Sequence, residues 1–295
     1  MNAEDSSSFP KVSVLMAVYN TQEDHLRKAI ESILAQNYDD FEFLIVNDAS
    51  TDVNVERIIK SYSDPRIVYW VNEKNLGISD TRNRLIDLAK GEYLAVVDHD
   101  DVSYPDRLAE AVACLDQDPK LGVVSSLMRE IDGVAGRIWN VPEKSLDIKK
   151  TLLLTCSVPH PASMIRKSVL IEHNIRYESM FSPSEDYALF CKLIDKTEFY
   201  NIQKVLLDYR NHRANTSHLQ AKEMENTGII IRERTRRENP LLWDWAKLDS
   251  MKKYRFKLFN FIPLVKIEET VERMNFYLFG FIPVFSFHKE KWRKK

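Results

Sequence analysis

Short apolar runs alternate with amphipathic stretches along the first half of the chain. The runs are typical of strands buried on both faces of a parallel sheet, and they cover residues 12–18, 41–46, 67–71 and 93–97. Between the first two runs, apolar residues recur at helical spacing from Leu26 to Leu34. Helices are also predicted over residues 55–62 and 81–88, the second with Ser79 as its N-cap and Gly91 just past its end. This alternation predicts an open, mostly parallel α/β sheet with right-handed crossovers and helices on both faces.

The pattern becomes less regular after residue 120. Strands are predicted over residues 123–131, 162–165 and 204–209, and helices over residues 186–194 and 222–237. The last of these helices leads to Pro240, where composition and charge change. We therefore predict one α/β domain over residues 1–240 and a separate C-terminal region over residues 241–295.

The C-terminal region is basic and aromatic. Residues 241–295 carry a net charge of +6, which leaves −8 for residues 1–240 of a chain whose total is −2. Of the 31 aromatic residues, 11 lie between Tyr254 and Trp292. The segment LFNFIP at 258–263 recurs as LFGFIP at 278–283. Two copies are too few for a solenoid and predict paired short elements with an aromatic face.

Aromatic rings flanked by lysine and arginine indicate that residues 250–295 bind an anionic membrane surface. Four of the rings lie in the two repeat copies, and basic residues cluster at 252–257 and 289–295. Pro263 and Pro283 would interrupt a long helix, so short interfacial elements are expected. The alternative is that these rings pack onto the α/β domain or onto a partner subunit, as a homodimer would allow.

Composition narrows the class of protein. A chain of 295 residues with 44% hydrophobic content can build a core, and three widely spaced cysteines do not make a disulfide framework, which fits a reducing compartment. Residues 1–9 are acidic and rich in serine, and no run approaches the ~18 apolar residues of a membrane-spanning helix. We therefore expect a cytoplasmic protein, and we expect no nucleic acid partner.

Polar clusters follow three of the predicted strands. They are Tyr19-Asn20, residues 48–52 and the DHDD segment at 98–101. The carboxyl ends of parallel strands meet at one edge of an open α/β sheet, where ligands bind. The carboxylates of the DHDD segment repel each other without a cation, and hard oxygen ligands favour Mg²⁺ or Mn²⁺ bound together with substrate phosphates. The alternative is a solvated acidic turn before a helix that starts near Pro105.

Five segments, in their order and approximate spacing, resemble the family 2 glycosyltransferases. They are VLMAVYN (14–20), NDASTD (47–52), NLG (75–77), TRN (81–83) and DHDD (98–101). The resemblance covers roughly residues 11–215 and implies the GT-A nucleotide-sugar-binding fold. Ala17 departs from the family's pattern, which usually has Pro or a similar residue there, so this strand end should be less rigid.

The resemblance implies a nucleotide-sugar site with Ala17 and Tyr19 at the nucleobase and Arg82 near the diphosphate. Asp48 would accept a hydrogen bond from an imide N–H, which uracil has and adenine lacks, so a UDP-sugar donor is favoured. Asp98 would face the ribose and the metal, and Asp100 would hold the Mg²⁺ or Mn²⁺. The alternatives are a core aromatic for Tyr19 and a helix-surface ion pair for Arg82. The predicted nucleotide-sugar contacts are Ala17, Tyr19, Asn20, Asp48, Ser50, Asp52, Asn75, Gly77, Arg82, Asp98 and His99.

The resemblance also implies a catalytic pair. Glu185 and Asp186 match the family's Glu-Asp pair, in which the second carboxylate is the base that deprotonates the acceptor hydroxyl, and one base opposite the leaving group gives inversion. The alternative is that both are charges favoured at a helix N-terminus. His160, Arg210 and His212 resemble segments that contact the acceptor or the diphosphate in bacterial relatives, although a lone histidine is more often structural.

Together these features predict one function and leave two rivals. The function is inverting transfer of a hexose or N-acetylhexosamine from a UDP-sugar to a lipid-linked or cell-surface glycan. As in bacterial lipopolysaccharide, O-antigen or capsule synthesis, it would take place on the cytoplasmic face of the inner membrane. A nucleotidyltransferase would usually carry a Gly-rich basic loop near the first strand, which residues 19–23 lack. A non-catalytic sugar-nucleotide binding module would be expected to have lost Asp186 or Asp100.

Overall fold

The computed structural model describes residues 9–51, 54–132, 136–212 and 215–252, together with four later strands. The chain divides into two compact units, residues 1–235 and residues 236–295. Within the described residues, the first unit carries a 9-stranded sheet and the second a 4-stranded sheet.

Strands and helices alternate along the first unit, as the hydrophobic pattern predicts. The strands are β1 (Val12–Val18), β2 (Phe41–Asn47), β3 (Ile67–Val71), β4 (Tyr93–Asp98), β5 (Val102–Ser103), β6 (Leu121–Ile131), β7 (Ile138–Trp139), β8 (Met164–Arg166) and β9 (Glu198–Arg210). The helices are α1 (Glu23–Leu34), α2 (Val55–Lys60), α3 (Ile78–Leu88), α4 (Arg107–Gln117), α5 (Ser145–Leu152), α6 (Lys167–Glu172), α7 (Glu185–Leu193), α8 (Thr216–Leu219) and α9 (Ala221–Glu238). Two short 3-10 helices cover His160–Ala162 and Ser179–Phe181.

The sheet of the first unit has the strand order β3-β2-β1-β4-β8-β6-β9-β5, and β7 pairs with β6. The first four strands are mutually parallel, and β8 lies antiparallel between β4 and β6. Because β6 and β9 run in the same direction as β4, the carboxyl ends of six strands share one edge. The predicted α/β class and mostly parallel sheet are confirmed, and this shared edge is where a ligand is expected.

Helices cover both faces of this sheet. Every residue of β1 is buried, which explains its unbroken apolar run. Its alternate residues Val12, Val14 and Met16 belong to one core cluster with residues of α1, α2 and α4. Helix α3 contacts β1 and β2 without belonging to that cluster, and a right-handed crossover from β3 back to β4 places it on the opposite face.

Some predicted element boundaries are wrong in an instructive way. Helix α3 begins at Ile78 after Gly77, whose φ of 84° is favourable only for glycine, so Ser79 lies inside the helix and is not its N-cap. The strand predicted at 162–165 is shorter and later, Met164–Arg166, because residues 160–162 form a 3-10 turn. The strand predicted at 204–209 is the end of the longer β9, which pairs with β6 over its whole length.

The second unit repeats one strand pair. Its elements are α10 (Pro240–Lys252), β10 (Arg255–Leu258), β11 (Ile262–Glu269), β12 (Arg273–Leu278) and β13 (Ile282–His288), in an antiparallel sheet of sequential order. Lys257 pairs with Pro263, and 20 residues later Tyr277 pairs with Pro283. The sequence repeat is therefore a repeated pairing of two strands around each LFxFIP copy. Within the described residues, no helix of either unit is long and apolar enough to cross a membrane.

Candidate active site

Two loops at the carboxyl edge are joined by hydrogen bonds. The backbone N–H of Asn20 donates to Ser50 Oγ at 3.1 Å, and the N–H of Thr51 donates to Asn20 Oδ1 at 2.9 Å. Asn20 has a φ of 43°, a left-handed conformation that asparagine tolerates. Tyr19 is 43% exposed, so it is not a core aromatic, and its ring is available to a ligand. The predicted contact Asp52 lies outside the described residues.

Asp48 is a buried carboxylate that organises the next loop. Its Oδ1 accepts hydrogen bonds from Asn72 Nδ2 at 2.6 Å and the N–H of Leu76 at 2.8 Å, and its Oδ2 accepts from the N–H of Gly77 at 2.9 Å. Asn75 Oδ1 also accepts from Gly77, at 3.0 Å. Since a carboxylate has about four lone-pair sites, these contacts leave Asp48 the capacity for one further donor.

Ala17 lies on β1, between β2 and β4. It is buried near the end of β1, where its register partners are Val46 on β2 and Asp98 on β4. The loss of the family's usual Pro therefore changes the backbone directly beside the acidic segment and removes no polar group.

Arg82 joins two parts of the site that are far apart in sequence. Its NH1 donates to Glu185 Oε1 at 2.7 Å, and its NH2 donates to Asp98 Oδ1 at 3.0 Å. Its side chain is only 12% exposed, so it is not a helix-surface ion pair. Burial opposes the charge of Arg82, but Asp98 and Glu185 outweigh it and raise the pKa of Arg82 above its usual value. Arg82 is therefore a fixed cation between two carboxylates.

Tyr177 supports Arg82 and was not identified from the sequence. The Arg82 guanidinium lies 5.6 Å from the centroid of its ring. Its backbone is fixed by Asn83, which donates to Tyr177 O and accepts from Tyr177 N, both at 2.9 Å. Its hydroxyl lies 2.8 Å from His160 Nε2. The only sequence signal was Asn83 in the TRN segment, which gives no partner.

His160 is buried beneath this network. Its ring packs edge-on against Tyr177 and Phe190. Burial, and then the charge of Arg82, lower the pKa of His160 to about 3, so the imidazole is neutral at physiological pH. In this arrangement His160 is buried, holds the Tyr177 hydroxyl, and does not itself line the carboxyl edge of the sheet.

The acidic segment is held by the end of β9. The backbone N–H of Arg210 donates to Asp101 Oδ1 at 2.8 Å, and Arg210 Nε donates to the carbonyl of Asp100 at 2.8 Å. The Arg210 guanidinium also pairs with Asp132. His212 Nε2 lies 3.0 Å from Asp100 Oδ2. Two predicted binding residues, Arg210 and His212, are thus brought to the DHDD segment across more than 100 residues of sequence.

A second histidine supports His212. The ring of His25, on α1, stacks on His212 with centroids 5.5 Å apart and an interplanar angle of 26°. Burial, and then the charges of Arg210 and His212, lower the pKa of His25. Sequence reasoning missed His25 because it lies among polar residues of an amphipathic helix and has no motif of its own.

The donor atoms at this edge fit a divalent cation that is completed by a ligand. The side chains of Asp98 and Asp100 are 32% and 16% exposed, and the imidazole of His212 adjoins the second. Oxygen and imidazole donors suit Mn²⁺, and oxygen donors suit Mg²⁺. His99 Nδ1 and Asp101 Oδ2 are buried without a hydrogen-bond partner in the described part of the chain. No three His, Cys, Asp or Glu residues there are grouped closely enough to hold a metal alone, so phosphate oxygens would have to complete the set.

Asp186 has the protonation behaviour of a general base. Its Oδ1 accepts from the N–H of Tyr187 at 2.7 Å. Burial, and then the charge of Glu185, raise the pKa of Asp186 to about 6, and Arg82 partly offsets both. The helix dipole alone would lower this pKa, so burial and Glu185 dominate the electrostatics of Asp186. A base with a pKa near the working pH can accept a proton from a substrate hydroxyl.

Comparison with known proteins identifies the family. A family model described as glycosyl transferase family 2 matches residues 13–173. The chain belongs to this family. The uncharacterized glycosyltransferase MJ1057 of Methanocaldococcus jannaschii is 34% identical over 207 residues, which cover 68% of this chain and 71% of that protein.

Solved structures of two glycosyltransferases share the fold. S. aureus TarS 1–349, crystallised with UDP-GlcNAc, superposes with a TM-score of 0.62 at 21% identity. The match covers 75% of this glycosyltransferase and 65% of the TarS chain. The mannosyltransferase PcManGT from Pyrobaculum calidifontis, in complex with GDP-Man and Mn²⁺, gives a TM-score of 0.54 at 19% identity. The match covers 85% of this chain and 77% of the PcManGT chain. The predicted GT-A fold is thereby confirmed, and the reaction class is glycosyl transfer.

Proposed function

We propose that this glycosyltransferase moves a hexose or N-acetylhexosamine from a UDP-sugar to a hydroxyl of a lipid-linked or cell-surface glycan, with inversion at the anomeric carbon. The observation that carries the proposal is the Arg82 bridge. It joins Asp98, at the edge where the donor is expected, to Glu185, which adjoins the base Asp186. In this proposal, the donor and the base would lie on either side of one buried cation.

The donor's base would be read by Asp48 and Tyr19. Asp48 retains capacity for one donor, and a ring N–H next to a carbonyl occurs in uracil and guanine but not in adenine or cytosine. The exposed ring of Tyr19 offers a face on which either base can stack. We favour uridine because the TarS structure, which fits with the higher TM-score, was crystallised with UDP-GlcNAc, while the GDP-Man complex makes guanosine the main competitor.

Asp98, Asp100 and His212 would hold Mg²⁺ or Mn²⁺ with the donor diphosphate. A bound divalent cation offsets the negative charge that grows on the departing diphosphate, an effect of several kcal/mol. His25 stacks on His212, and Arg210 binds the backbone of Asp100, so both contacts keep these metal-binding residues in place. Arg82 adds a second positive charge beside Asp98.

Asp186 would accept the proton of the attacking hydroxyl. As the acceptor oxygen bonds to the anomeric carbon, its proton passes to Asp186, and the bond from that carbon to the phosphate oxygen breaks to release UDP. A single displacement opposite the leaving group inverts the configuration. Glu185 holds Arg82 and, through its charge, keeps Asp186 basic.

The two units would divide the work. We propose that residues 1–240 form the catalytic domain and that residues 250–295 hold the enzyme on the anionic cytoplasmic face of an inner membrane, where a lipid-linked acceptor for lipopolysaccharide, O-antigen or capsule would lie. In the sequence, polar Arg273 and Asn275 alternate with apolar Met274 and Phe276, a pattern typical of a strand with one apolar face. Self-association as a homodimer through this region is the competing proposal.

A donor panel tests the function. The full chain is incubated with UDP-Glc, UDP-Gal, UDP-GlcNAc, UDP-GalNAc and GDP-Man, each with Mg²⁺, Mn²⁺ or EDTA, and the nucleotide released by slow hydrolysis is identified. Metal-dependent release of UDP from at least one donor is expected. Release of GDP alone would transfer the proposal to guanosine donors, and no release from any donor would refute it. Pyrophosphate formation from UTP and a sugar phosphate would favour the nucleotidyltransferase.

A further inference from the structure

Trp139 is an exposed aromatic side chain close to the site with no role in the reaction described above. It is 41% exposed and lies on β7, a two-residue strand paired with β6. Its ring lies 5.7 Å from that of Tyr209, tilted by 58°, and the Arg137 guanidinium lies 6.0 Å from its centroid. Tyr and Trp are enriched at interfaces, where an apolar ring can pack while its polar group stays hydrated.

The ring pair lies at the carboxyl edge of the sheet. Trp139 pairs with Met128, near the end of β6, and β6 runs parallel to β4, which ends at Asp98. Tyr209 immediately precedes Arg210, whose backbone N–H binds Asp101. Asn215 donates to the Tyr209 hydroxyl at 3.0 Å and to the carbonyl of Arg210 at 2.8 Å, which fixes the ring relative to the acidic segment.

The ring pair also lies on the face of the sheet that carries the base. Met128 and Leu207 are register partners, and both pack with Ala162 and Tyr209 in one small core cluster. Ala162 ends the 3-10 turn that begins at His160, and the His160 ring packs on Phe190 of α7. Because α7 begins with Glu185-Asp186, the rings and the proposed base share one side of the sheet.

We propose that Trp139 and Tyr209 form a platform on which a pyranose ring of the acceptor glycan stacks. The C–H bonds on one face of a pyranose carry partial positive charge, which the negative face of an indole or phenol ring attracts while water is excluded. The platform occupies the base's face of the carboxyl edge, whereas Tyr19 and Asp48 lie at the ends of β1 and β2, the donor side. This inference rests on the proposed transfer to a glycan.

Trp70 provides a matched control. It is 43% exposed, and the Arg84 guanidinium lies 5.7 Å from its ring centroid, so its exposure and cationic neighbour resemble those of Trp139. It lies on β3, the outermost strand of the sheet, separated from β6 by four strands. At ~4.8 Å between neighbouring strands, Trp70 is about 24 Å from β6.

Saccharide binding tests the platform without requiring turnover. The full chain is labelled with ¹⁵N and saturated with UDP and Mg²⁺, without Mn²⁺. NMR spectra then follow the indole N–H signals while tetrasaccharides of GlcNAc, glucose, mannose or galactose are added. Trp139→Phe and Trp70→Phe assign the two signals. We expect saturable shifts of the Trp139 signal with at least one tetrasaccharide and a constant Trp70 signal. No saturable shift of Trp139 with any tetrasaccharide, or equal shifts of both signals, would overturn the platform.

Three replacements separate stacking from simple packing. Trp139→Phe keeps an aromatic face and should bind the tetrasaccharide within about threefold of the parent, whereas Trp139→Leu and Trp139→Ala should bind about tenfold more weakly. Equal affinity for the Leu and Phe variants would refute stacking. UDP-sugar hydrolysis, measured on the same samples, should be unchanged. Saccharide binding without UDP-sugar hydrolysis would contradict the proposed function alone, and hydrolysis without saccharide binding would contradict the platform alone.

Discussion

At the scale of single residues, the charges at the carboxyl edge are fixed around Arg82. Arg82 is pinned by Asp98 and Glu185 and stacked on Tyr177, so it cannot move far without leaving carboxylates unpaired in a partly buried site. Asp186, one residue from Glu185, makes no ion pair with Arg82 in the described contacts, and its pKa is raised. Arg82 thus pairs with Asp98 and Glu185, while burial and the charge of Glu185 outweigh its lowering effect on the pKa of Asp186.

Replacing the base should separate binding from chemistry. Asp186→Asn is nearly isosteric, so UDP affinity measured by calorimetry should stay within about twofold, while the transfer rate falls on the order of 10²–10⁴-fold, the range typical of general-base removal. Asp195→Asn, at an exposed position just after α7, is the control and should leave both quantities unchanged. An unchanged rate for Asp186→Asn, or a product that retains the donor's anomeric configuration, would exclude Asp186 as an inverting base.

The raised pKa of Asp186 predicts the pH dependence. The base acts when ionised, and its pKa is about 6, so kcat/KM should rise with pH through 6 and level off above ~7. Glu185→Gln removes a negative charge that raises this pKa, so the rise should move to lower pH. Cys156, another titratable neighbour, has its pKa raised well above this range by burial and by Asp186. A profile that is flat from pH 5 to 8, or unmoved by Glu185→Gln, would contradict the assignment.

The metal assignment predicts a loss that depends on the cation. Asp100→Ala removes the carboxylate beside His212, so turnover should fall below detection, and UDP should bind more weakly only when Mg²⁺ or Mn²⁺ is present. Binding of Mn²⁺ followed by electron paramagnetic resonance, with and without UDP, checks this directly. The exposed Asp87 on α3 supplies the control variant Asp87→Ala. Near-normal turnover of Asp100→Ala, or of the parent in EDTA, would show that the metal is not required.

Strand ends located Asp48 and Asp98 directly, the family resemblance supplied Arg210 and His212, and other residues placed by distant contacts were missed. Asp48 and Asp98 follow buried strands, and parallel strands bring their carboxyl ends together whatever the rest of the chain does. Tyr177 contacts Asn83 across 94 positions. His25 and Trp139 likewise reach the site through rings on other elements. No local periodicity encodes such pairings, so a single sequence contains no signal for them.

Among the elements, the alternating first half was predictable, and in the second half the longer elements β6, α7 and α9 were predictable but the short strands were not. Strands β1 to β4 are contiguous apolar runs with local crossovers. Strand β8 has three residues and lies antiparallel between β4 and β6, and β5 and β7 have two residues each. Strands of two or three residues are too short to show an alternation of apolar and polar residues, and they form only by pairing with distant strands. The same strands hold Trp139 and the acidic segment in place.

Close packing at the amino-terminal end of β4 predicts a strong effect of a small substitution. A Cβ on Gly91 would lie 2.5 Å from the backbone nitrogen of Ser13 and 2.7 Å from the carbonyl carbon of Val12, so Gly91→Ala must displace β1 and should destabilise the protein by about 1–3 kcal/mol. Gly228→Ala, inside α9, meets only the flexible Arg232 side chain and should stabilise by about 0.5–1 kcal/mol. Denaturant unfolding measures both, and equal effects would contradict the packing argument.

At the scale of the whole molecule, charge is segregated along the chain. Residues 1–240 carry −8 and residues 241–295 carry +6, so an anionic surface attracts one part and repels the other. The strand pairing repeats after 20 residues, with Leu258 opposite Ile262 and Leu278 opposite Ile282, and the phenylalanines at 259, 261, 279 and 281 lie outside the described residues. This combination of aromatic repeats with a basic terminus is the physical basis for proposing that the C-terminal region meets lipid.

Removing the terminal charge tests this proposal in the full-length protein. The test variant replaces five basic residues by Gln, at Lys289, Lys291, Arg293, Lys294 and Lys295. Each basic residue near an anionic surface contributes ~1 kcal/mol, and salt screens the attraction, so co-sedimentation with phosphatidylserine vesicles should fall steeply in the variant and, for the parent, with rising salt. The control variant replaces five exposed lysines of the first unit, Lys28, Lys60, Lys74, Lys90 and Lys120, and should keep its binding.

Equal loss in both variants would indicate an unspecific charge effect. A parent protein that does not bind the vesicles even at low salt would contradict the proposal, and sedimentation equilibrium of the same sample would then show whether the C-terminal region forms a homodimer.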